Sequence, residues 1–204
     1  MKLLSLISSG KDSWYAYYLM LQQGFDIPVA VTFIPKNPES YMLQHPFAEK
    51  TPLQIKNMKS PPRHVLFNVS GVKEKEVEEM KSHLEKLVKA EKIEGIISGA
   101  LASEYQKQRL DLICEELGVV SYAPLWHKDQ ERYLQEVVLE AGFEFLIADT
   151  CAEGIEKWKG RMINPENLGH FIKDLRKARA NISGEGGEYE TFVTKSPFFE
   201  MSKV

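Results

Sequence analysis

The chain has 204 residues, 26 basic against 29 acidic side chains (formal charge −3), 43% apolar and 27% charged residues, enough for one sizeable core or one larger domain with an appendage. This balance supplies no global cationic field for stable nucleic-acid binding or attachment to a membrane surface. Cys114 and Cys151 are the only cysteines and no CxxC occurs, so neither a disulfide framework nor a zinc site is indicated.

Met1 to Ile7 reads as a buried strand, a short apolar run closed by turn residues. It is too short for a signal-peptide core, and no run approaches the roughly 20 apolar residues that span a bilayer, so a cytoplasmic protein is expected. From Ser13 the spacing turns helical, with Trp14, Tyr17, Tyr18 and Leu21 on one face and Gly24 as the stop. IPVAVTFI (27–34) is a second strand, apolar on both faces as if covered on both. A Pro-rich passage (35–40) leads through a long polar stretch to a third strand, HVLFNV (64–69).

KEKEVEEMKSHLEKLVK (73–89) is the clearest helix, with Val77, Met80, Leu84, Leu87 and Val88 as its apolar stripe and charges over the rest. GIISGAL (95–101) is a strand running into a small-residue turn. Ser103 with Gln106 forms a capping-box pattern, opening a helix that buries Leu110, Ile113, Cys114 and Leu117. Strands alternating with helices predict an α/β fold with a parallel sheet. Beyond YAPLW (122–126) the spacing is less regular: a helix over 130–141, a strand at FEFLIAD (143–149), a helix over 165–179, then SGEGGEYETFV (183–193). The boundary between two domains is expected near Trp126.

Three clusters carry chemistry. SSGKDS (8–13) lies between the first strand and the first helix, where free helix N–H groups favour an anion. Ser8, Ser9 and Gly10 let the backbone approach a phosphate closely, Lys11 adds a point charge and Ser13 a hydroxyl. Asp12 suits the magnesium side of a nucleotide or a helix cap. The stretch is not the ATPase P-loop pattern, which has Gly where Ser5 stands and Ser or Thr where Asp12 stands. A capped turn with an exposed lysine is the competing reading; the flanking strand and helix favour phosphate. In SGALASEYQKQR (98–109), Ser98 and Gly99 end a strand at the same sheet edge, and Tyr105, Gln106 and Arg109 share a helix face. In GEGGEYETF (184–192), Glu185, Glu188 and Glu190 crowd together. If 188–192 is extended, Glu188 and Glu190 share one face and Tyr189 the other. That face is either an exposed acidic turn or a site for a metal, ammonium or substituted ammonium.

SSGKDS resembles the PP-loop of the N-type ATP pyrophosphatases. ESYMLQH (39–45), ISGALASEYQKQR (97–109), APLW (123–126) and GEGGEYETFV (184–193) stand in the order found in the diphthine–ammonia ligase family, a likeness running from Ser8 to Val193. The resemblance implies a doubly wound, Rossmann-like α/β domain of the adenine-nucleotide alpha-hydrolase type (1–125) and a smaller C-terminal α/β domain (126–204). It implies ATP and Mg²⁺ as cofactors, and as partners ammonium and translation elongation factor 2 carrying diphthine, whose carboxylate becomes an amide. A homo-oligomer stays open.

On the same resemblance Lys11, Asp12, Glu188 and Glu190 are catalytic, with Asp12 orienting Mg²⁺. Ser8, Ser9, Gly10, Lys11, Asp12, Ser13, Thr32, Ser98 and Gly99 bind the nucleotide. His45, Ser103, Tyr105, Gln106, Arg109, Trp126, Glu185, Gly186, Gly187 and Glu188 face the acyl substrate. Tyr189 or Trp126 would form aromatic walls for a cation. The family pattern has Gly at the position of Ser9, and Asp-Gly-Pro where this chain reads TKSP (194–197). The competing functions are a PP-loop tRNA-modifying ligase or thiolase, for which a cysteine pair is lacking, and a nucleotide-binding sensor, which has no use for the Glu cluster.

Overall fold

The computed structural model describes residues 1–43 and 47–200. Five strands, β1 (Lys2–Leu6), β2 (Asp26–Pro35), β3 (Arg63–Val69), β4 (Gly95–Ile97) and β5 (Val120–Tyr122), form a parallel sheet in the order β3-β2-β1-β4-β5. Leu4 is in register with Val29 on one side and with Ile96 on the other. The chain moves outward from β1 to β3 and then returns to β4, so the order reverses between β1 and β4. That reversal opens a crevice at the carboxyl ends of these two strands.

Alternate residues of β1 feed two cores. Leu3 packs with Trp14 of helix α1 (Lys11–Gln22) and Ile55 of helix α2 (Thr51–Lys56). Leu4 packs on the opposite face with Leu84 of α3 (Lys75–Glu91) and Ile113 of α4 (Glu104–Leu117). Helices on both faces make the sheet doubly wound. The apolar stripe of α3 is buried as its spacing predicts, but Glu76 is buried too, against the expectation that charges lie outward. Its carboxylate accepts hydrogen bonds from Ser40 Oγ (2.5 Å) and the Met42 N–H (3.2 Å), and so fastens the segment that follows β2.

Helix α1 departs from the one-faced expectation. Trp14, Tyr15, Ala16, Tyr17 and Met20 are all buried, whereas Leu21 is 37% exposed. The cause is a second sheet packed over the helix, which leaves α1 with two apolar sides. Gly24, at φ +84°, ends it: its N–H reaches the Leu21 carbonyl, and the Phe25 N–H reaches Met20, a Schellman closure.

The second sheet is antiparallel. Strand β6 (Glu144–Thr150) lies between β7 (Met162–Ile163) and β8 (Tyr189–Lys195). Helix α5 (Gln130–Gln135) continues as a π-helical turn, Glu136–Glu140, and α6 (Leu168–Ala178) follows β7. Phe145, Val193, Phe171 and Tyr133 belong to the same core cluster as Trp14 and Leu3. Helix α1, which SSGKDS leads into and whose first residues are Lys11, Asp12 and Ser13, is therefore held between the two sheets.

Candidate active site

A cavity of 870 Å³ occupies the crevice, bounded by the loop after β1, the ends of β2 and β4, the segment after β2 and the Glu-rich loop before β8. Its walls change character along its length. Val31, Phe33, Met42, Leu43, Met80 and Leu110 make an apolar end, while Lys11, Asp12, Asp149, Glu185 and Glu190 make a charged one.

The loop over 8–13 is shaped by its own hydroxyls. Ser13 Oγ accepts from the Ser8 N–H (3.1 Å) and donates to the Gly10 carbonyl (3.1 Å). Gly10 is the N-cap of α1; Asp12 lies within the first turn and is not the cap. Ser9 is fully buried at φ +72°, the left-handed region that favours glycine. Its carbonyl accepts from the Val193 N–H (3.0 Å) and Gln54 Nε2 (3.0 Å), so the peptide cannot relax, and its hydroxyl has no hydrogen-bond partner among the described residues. Ser9→Gly removes both the strain and the unpaired hydroxyl, against a modest gain in unfolded-chain entropy. The expected result is a stabilisation of about 1 kcal/mol, seen as a melting temperature raised by about 2–4 °C. An unchanged or lower melting temperature would show that the left-handed turn costs nothing.

The second sheet completes this loop. Thr191 Oγ1, on β8, accepts from the Lys11 N–H (3.1 Å). The Lys11 side chain is 2% exposed, and Nζ donates to the Ser183 carbonyl (2.6 Å) and to both Asp12 oxygens (3.1 Å each). The same ammonium lies 5.1 Å from the Tyr189 ring centroid and 5.9 Å from that of Tyr133. Tyr133, fully buried on α5, donates its hydroxyl to Asp12 Oδ1 (2.6 Å). Burial and the Asp12 charge push the Tyr133 phenol far above its usual range, so it remains a donor.

The charged end of the cavity holds carboxyls in unlike states. The Lys159 ammonium, 2.7 Å from Asp149, holds that carboxyl below the usual range. Burial raises Glu185, and the nearby Asp12 raises it further. Burial pushes Glu190 up to about 7; Lys11 opposes the shift, while Asp12, Asp149 and Glu185 add to it. Glu188 does not join them. The strand begins at Tyr189, so Glu188 precedes the alternation, and its carboxylate instead accepts from the Asn181 N–H. The expected shared face of Glu188 and Glu190 is replaced by Glu185 with Glu190.

Between the ordinary carboxylate value of 4.5 and about 7, folded Glu190 keeps a proton that the unfolded chain has released. Stability therefore falls as pH rises through that window, and above it the cost is fully present. Glu190→Gln is expected to be more stable than the parent by about 2 kcal/mol at pH 8, with the gap closing near pH 4. Urea midpoints from pH 4 to 9 measure it; parallel profiles would place the Glu190 proton elsewhere.

A family model for the diphthamide synthase N-terminal domain matches residues 1–121, and one for the diphthamide synthase C-terminal domain matches residues 129–203. The chain belongs to the diphthamide synthase family. Among its relatives, the diphthine–ammonia ligase of Homo sapiens is 29% identical over 224 residues, and that of Rattus norvegicus 28% over 222. Each alignment covers 100% of this chain and 82% of the relative. A solved structure, of a predicted subunit of tRNA methyltransferase from Methanocaldococcus jannaschii, superposes with a TM-score of 0.42 at 11% identity, covering 96% of this chain and 99% of that one.

Of the residues that resemblance to the family marks, Ser8, Lys11, Asp12, Ser13, Ser98, Gly99, Ser103, Gln106, Glu185, Gly186, Gly187 and Glu190 line the cavity. Ser103 caps α4, accepting from the Gln106 N–H (3.4 Å), while the Gln106 side chain donates to the Met42 carbonyl (3.1 Å) rather than closing the capping box. Thr32 is outside: its hydroxyl donates to the Ile7 carbonyl (2.7 Å) and meets His64 Nε2 (2.9 Å), tying β2 to β1 and β3. Trp126 is also outside, against His127 and Lys107; Tyr189 lines the cavity but is 2% exposed, with the Lys11 ammonium 5.1 Å from its ring centroid. Tyr105 and Arg109 do not line the cavity; Arg109 pairs with Glu74 (2.7 Å) and lies over the Tyr105 ring. His45 lies outside the described residues.

Five participants went unmarked in the sequence: Tyr133, Ser183, Thr191, Gln54 and Asp149. Gln54, on α2, donates to both Ser9 and Val193 carbonyls and accepts from Trp14 Nε1 (2.9 Å). No local pattern distinguishes a glutamine in that position. Thr191 and Asp149 had a signal, since each stands in a strand whose register puts it opposite the crevice, but that register is set by the second sheet.

Proposed function

We propose that the protein converts the diphthine carboxylate of translation elongation factor 2 to its amide, in two steps driven by ATP. The carboxylate oxygen attacks the α-phosphorus, forming an acyl-adenylate and releasing pyrophosphate. Ammonia then attacks the acyl carbon, releasing AMP and leaving one proton to be taken up. Residues 1–125 bind ATP in this reading and 126–204 supply much of the acceptor side. The observation that carries it is the joining of two ends in one cavity: Lys11 and Asp12 of the first loop, and Glu190 with its carboxyl pushed up to about 7.

The backbone donors at the start of α1, with the Lys11 charge behind them, would stabilise the departing pyrophosphate, an electrostatic role that needs no enzyme nucleophile. Tyr133 and Lys11 hold the Asp12 carboxylate in one orientation. Glu190, titrating near neutrality, binds ammonium when ionised and can accept the proton that ammonium must lose before it attacks. The apolar end, with Phe33 and Met42, suits a purine ring.

Mg²⁺ fits as a cation carried on the nucleotide. Among the described residues no group of three or more His, Cys, Asp or Glu side chains could hold a metal alone, whereas Asp12 offers one carboxylate to a phosphate-bound ion. When bound, the ion would neutralise phosphate charge. Among the described residues no helix is long and apolar enough to cross a membrane.

The test combines the purified protein, diphthine-modified elongation factor, ATP with Mg²⁺, and ammonium. AMP and pyrophosphate should form in equal amounts, and only when both factor and ammonium are present. Release of ADP, or ATP bound and left intact, would overturn the ligase reading. Turnover on tRNA in place of the factor would favour the tRNA-modifying alternative.

A further inference from the structure

Tyr189 and Trp126 face lysines of this chain, Lys11 and Lys107, and a further aromatic pair stands at the rim of the cavity. Tyr41 lines the cavity yet is 61% exposed, and its ring meets that of Tyr105 on α4 edge to face, with centroids 6.0 Å apart. One ammonium already occupies the angle between them. Lys73 Nζ lies 4.4 Å from the Tyr41 centroid and 5.3 Å from that of Tyr105, and Lys73 makes no ion pair among the described residues. This side chain is a stand-in cation seated against both rings; the neighbouring Glu74 carboxylate also feels its charge, and the Arg109 guanidinium lies 4.5 Å from the Tyr105 centroid.

The pair is also preorganised. Ser40 and Met42, on either side of Tyr41, are fastened to the buried Glu76 carboxylate, and Gln106, next to Tyr105, donates to the Met42 carbonyl (3.1 Å). Two rings on tethered segments thus present their faces to one point at the mouth of the cavity. An angled aromatic pair is the arrangement that recognises quaternary ammonium groups, which carry no N–H donors and give up their water readily.

We propose that Tyr41 and Tyr105 form a binding site for a quaternary trimethylammonium group, which displaces the Lys73 ammonium. Resting on the ligase reading, the group is that of diphthine, where it is bonded to the carbon bearing the reactive carboxylate. The two cations of the reaction then have separate seats: trimethylammonium between the tyrosines, and ammonium at Glu190. Holding the first by its methyl groups would position the carboxylate without placing a cationic hydrogen-bond donor beside it, a donor that would blunt its attack on phosphorus.

Two measurements test the site, and only the second depends on the reaction. Glycine betaine, which carries trimethylammonium one carbon from a carboxylate, should shift the ring resonances of Tyr41 and Tyr105 to saturation, while glycine should not. Absence of shifts in the parent protein would overturn the proposal, whatever the enzyme's activity; shifts without turnover on the modified factor would retain the site and remove the ligase reading. In turnover, Tyr41→Leu should raise KM for the modified factor by about tenfold, with Tyr41→Phe restoring it because the π face is kept. Lys73→Met should lower that KM by about threefold, since the competing cation is gone. A Tyr41→Leu effect confined to the KM for ATP would assign the ring to the nucleotide, overturning the proposal.

Discussion

Lys11→Met is expected to lower pyrophosphate release by on the order of 10²–10³-fold, the size found when one preorganised charge-stabilising donor is removed from a transition state. The Met side chain keeps the length that fills the space beside Tyr133 and Tyr189, so the change is chiefly one of charge. Stability will fall as well. Loss of the ammonium leaves the Ser183 carbonyl without its donor at 2.6 Å and leaves Asp12, 21% exposed, with Tyr133 as its remaining strong partner. A deeply buried ion pair broken on one side costs about 3–5 kcal/mol; partial exposure of Asp12 reduces that to roughly 1–3. The double variant Lys11→Met, Asp12→Asn separates the two effects. Neutralising the orphaned carboxylate should recover most of the lost stability and none of the turnover. Pyrophosphate release in Lys11→Met within fivefold of the parent would remove the ammonium from the mechanism and leave it as a bond between the two sheets.

The sequence showed where one half of the site begins, because its signals are local. A short apolar run, six small and charged residues and a helical pattern put the first loop at a strand's carboxyl end, and SGA (98–100) repeated the arrangement at β4. The opposite half depended on distances in the fold. Whether Glu188 or Glu185 joins Glu190 turns on where β8 starts, and the start at Tyr189 is set by pairing with Thr150 on β6. Tyr133 reaches Asp12 across 121 positions of sequence, and Thr191 reaches Lys11 across 180, so neither could be singled out before the second sheet was docked on α1. Glu76 shows the same limit in a helix whose pattern was otherwise clear. Its burial follows from a chain segment that crosses over α3, which a periodicity of 3.6 residues does not report. Ser9 is the converse case, since its φ of +72°, in the region that favours glycine, could not be read from composition.

Gly99→Ala should cost about 10²-fold in kcat/KM for ATP, although it adds a single methyl group. A Cβ at position 99 would stand 2.7 Å from the Ser13 nitrogen, 2.8 Å from the Asp12 carbonyl carbon and 2.9 Å from the Ser13 Cα. These are backbone atoms in the first turn of α1, and no side-chain rotation can make room. Relief requires the turn to move by about 0.5–1 Å, and overpacking of this kind typically costs 1–3 kcal/mol of stability. Opposing the move, the turn is tied from behind by Thr191 at the Lys11 N–H and by Tyr133 at Asp12, so the displacement falls on the donors that face the cavity. A misplacement near 1 Å is enough for the expected rate loss. Gly169→Ala provides the matched control: that glycine is exposed on α6, has nothing within 4 Å of an added Cβ, and is far from the cavity lining. It should gain about 0.5–1 kcal/mol from helix propensity and keep its rate. If Gly99→Ala melts lower but turns over as the parent does, the close approach of β4 to α1 serves packing alone, and the catalytic geometry of the first loop tolerates the shift.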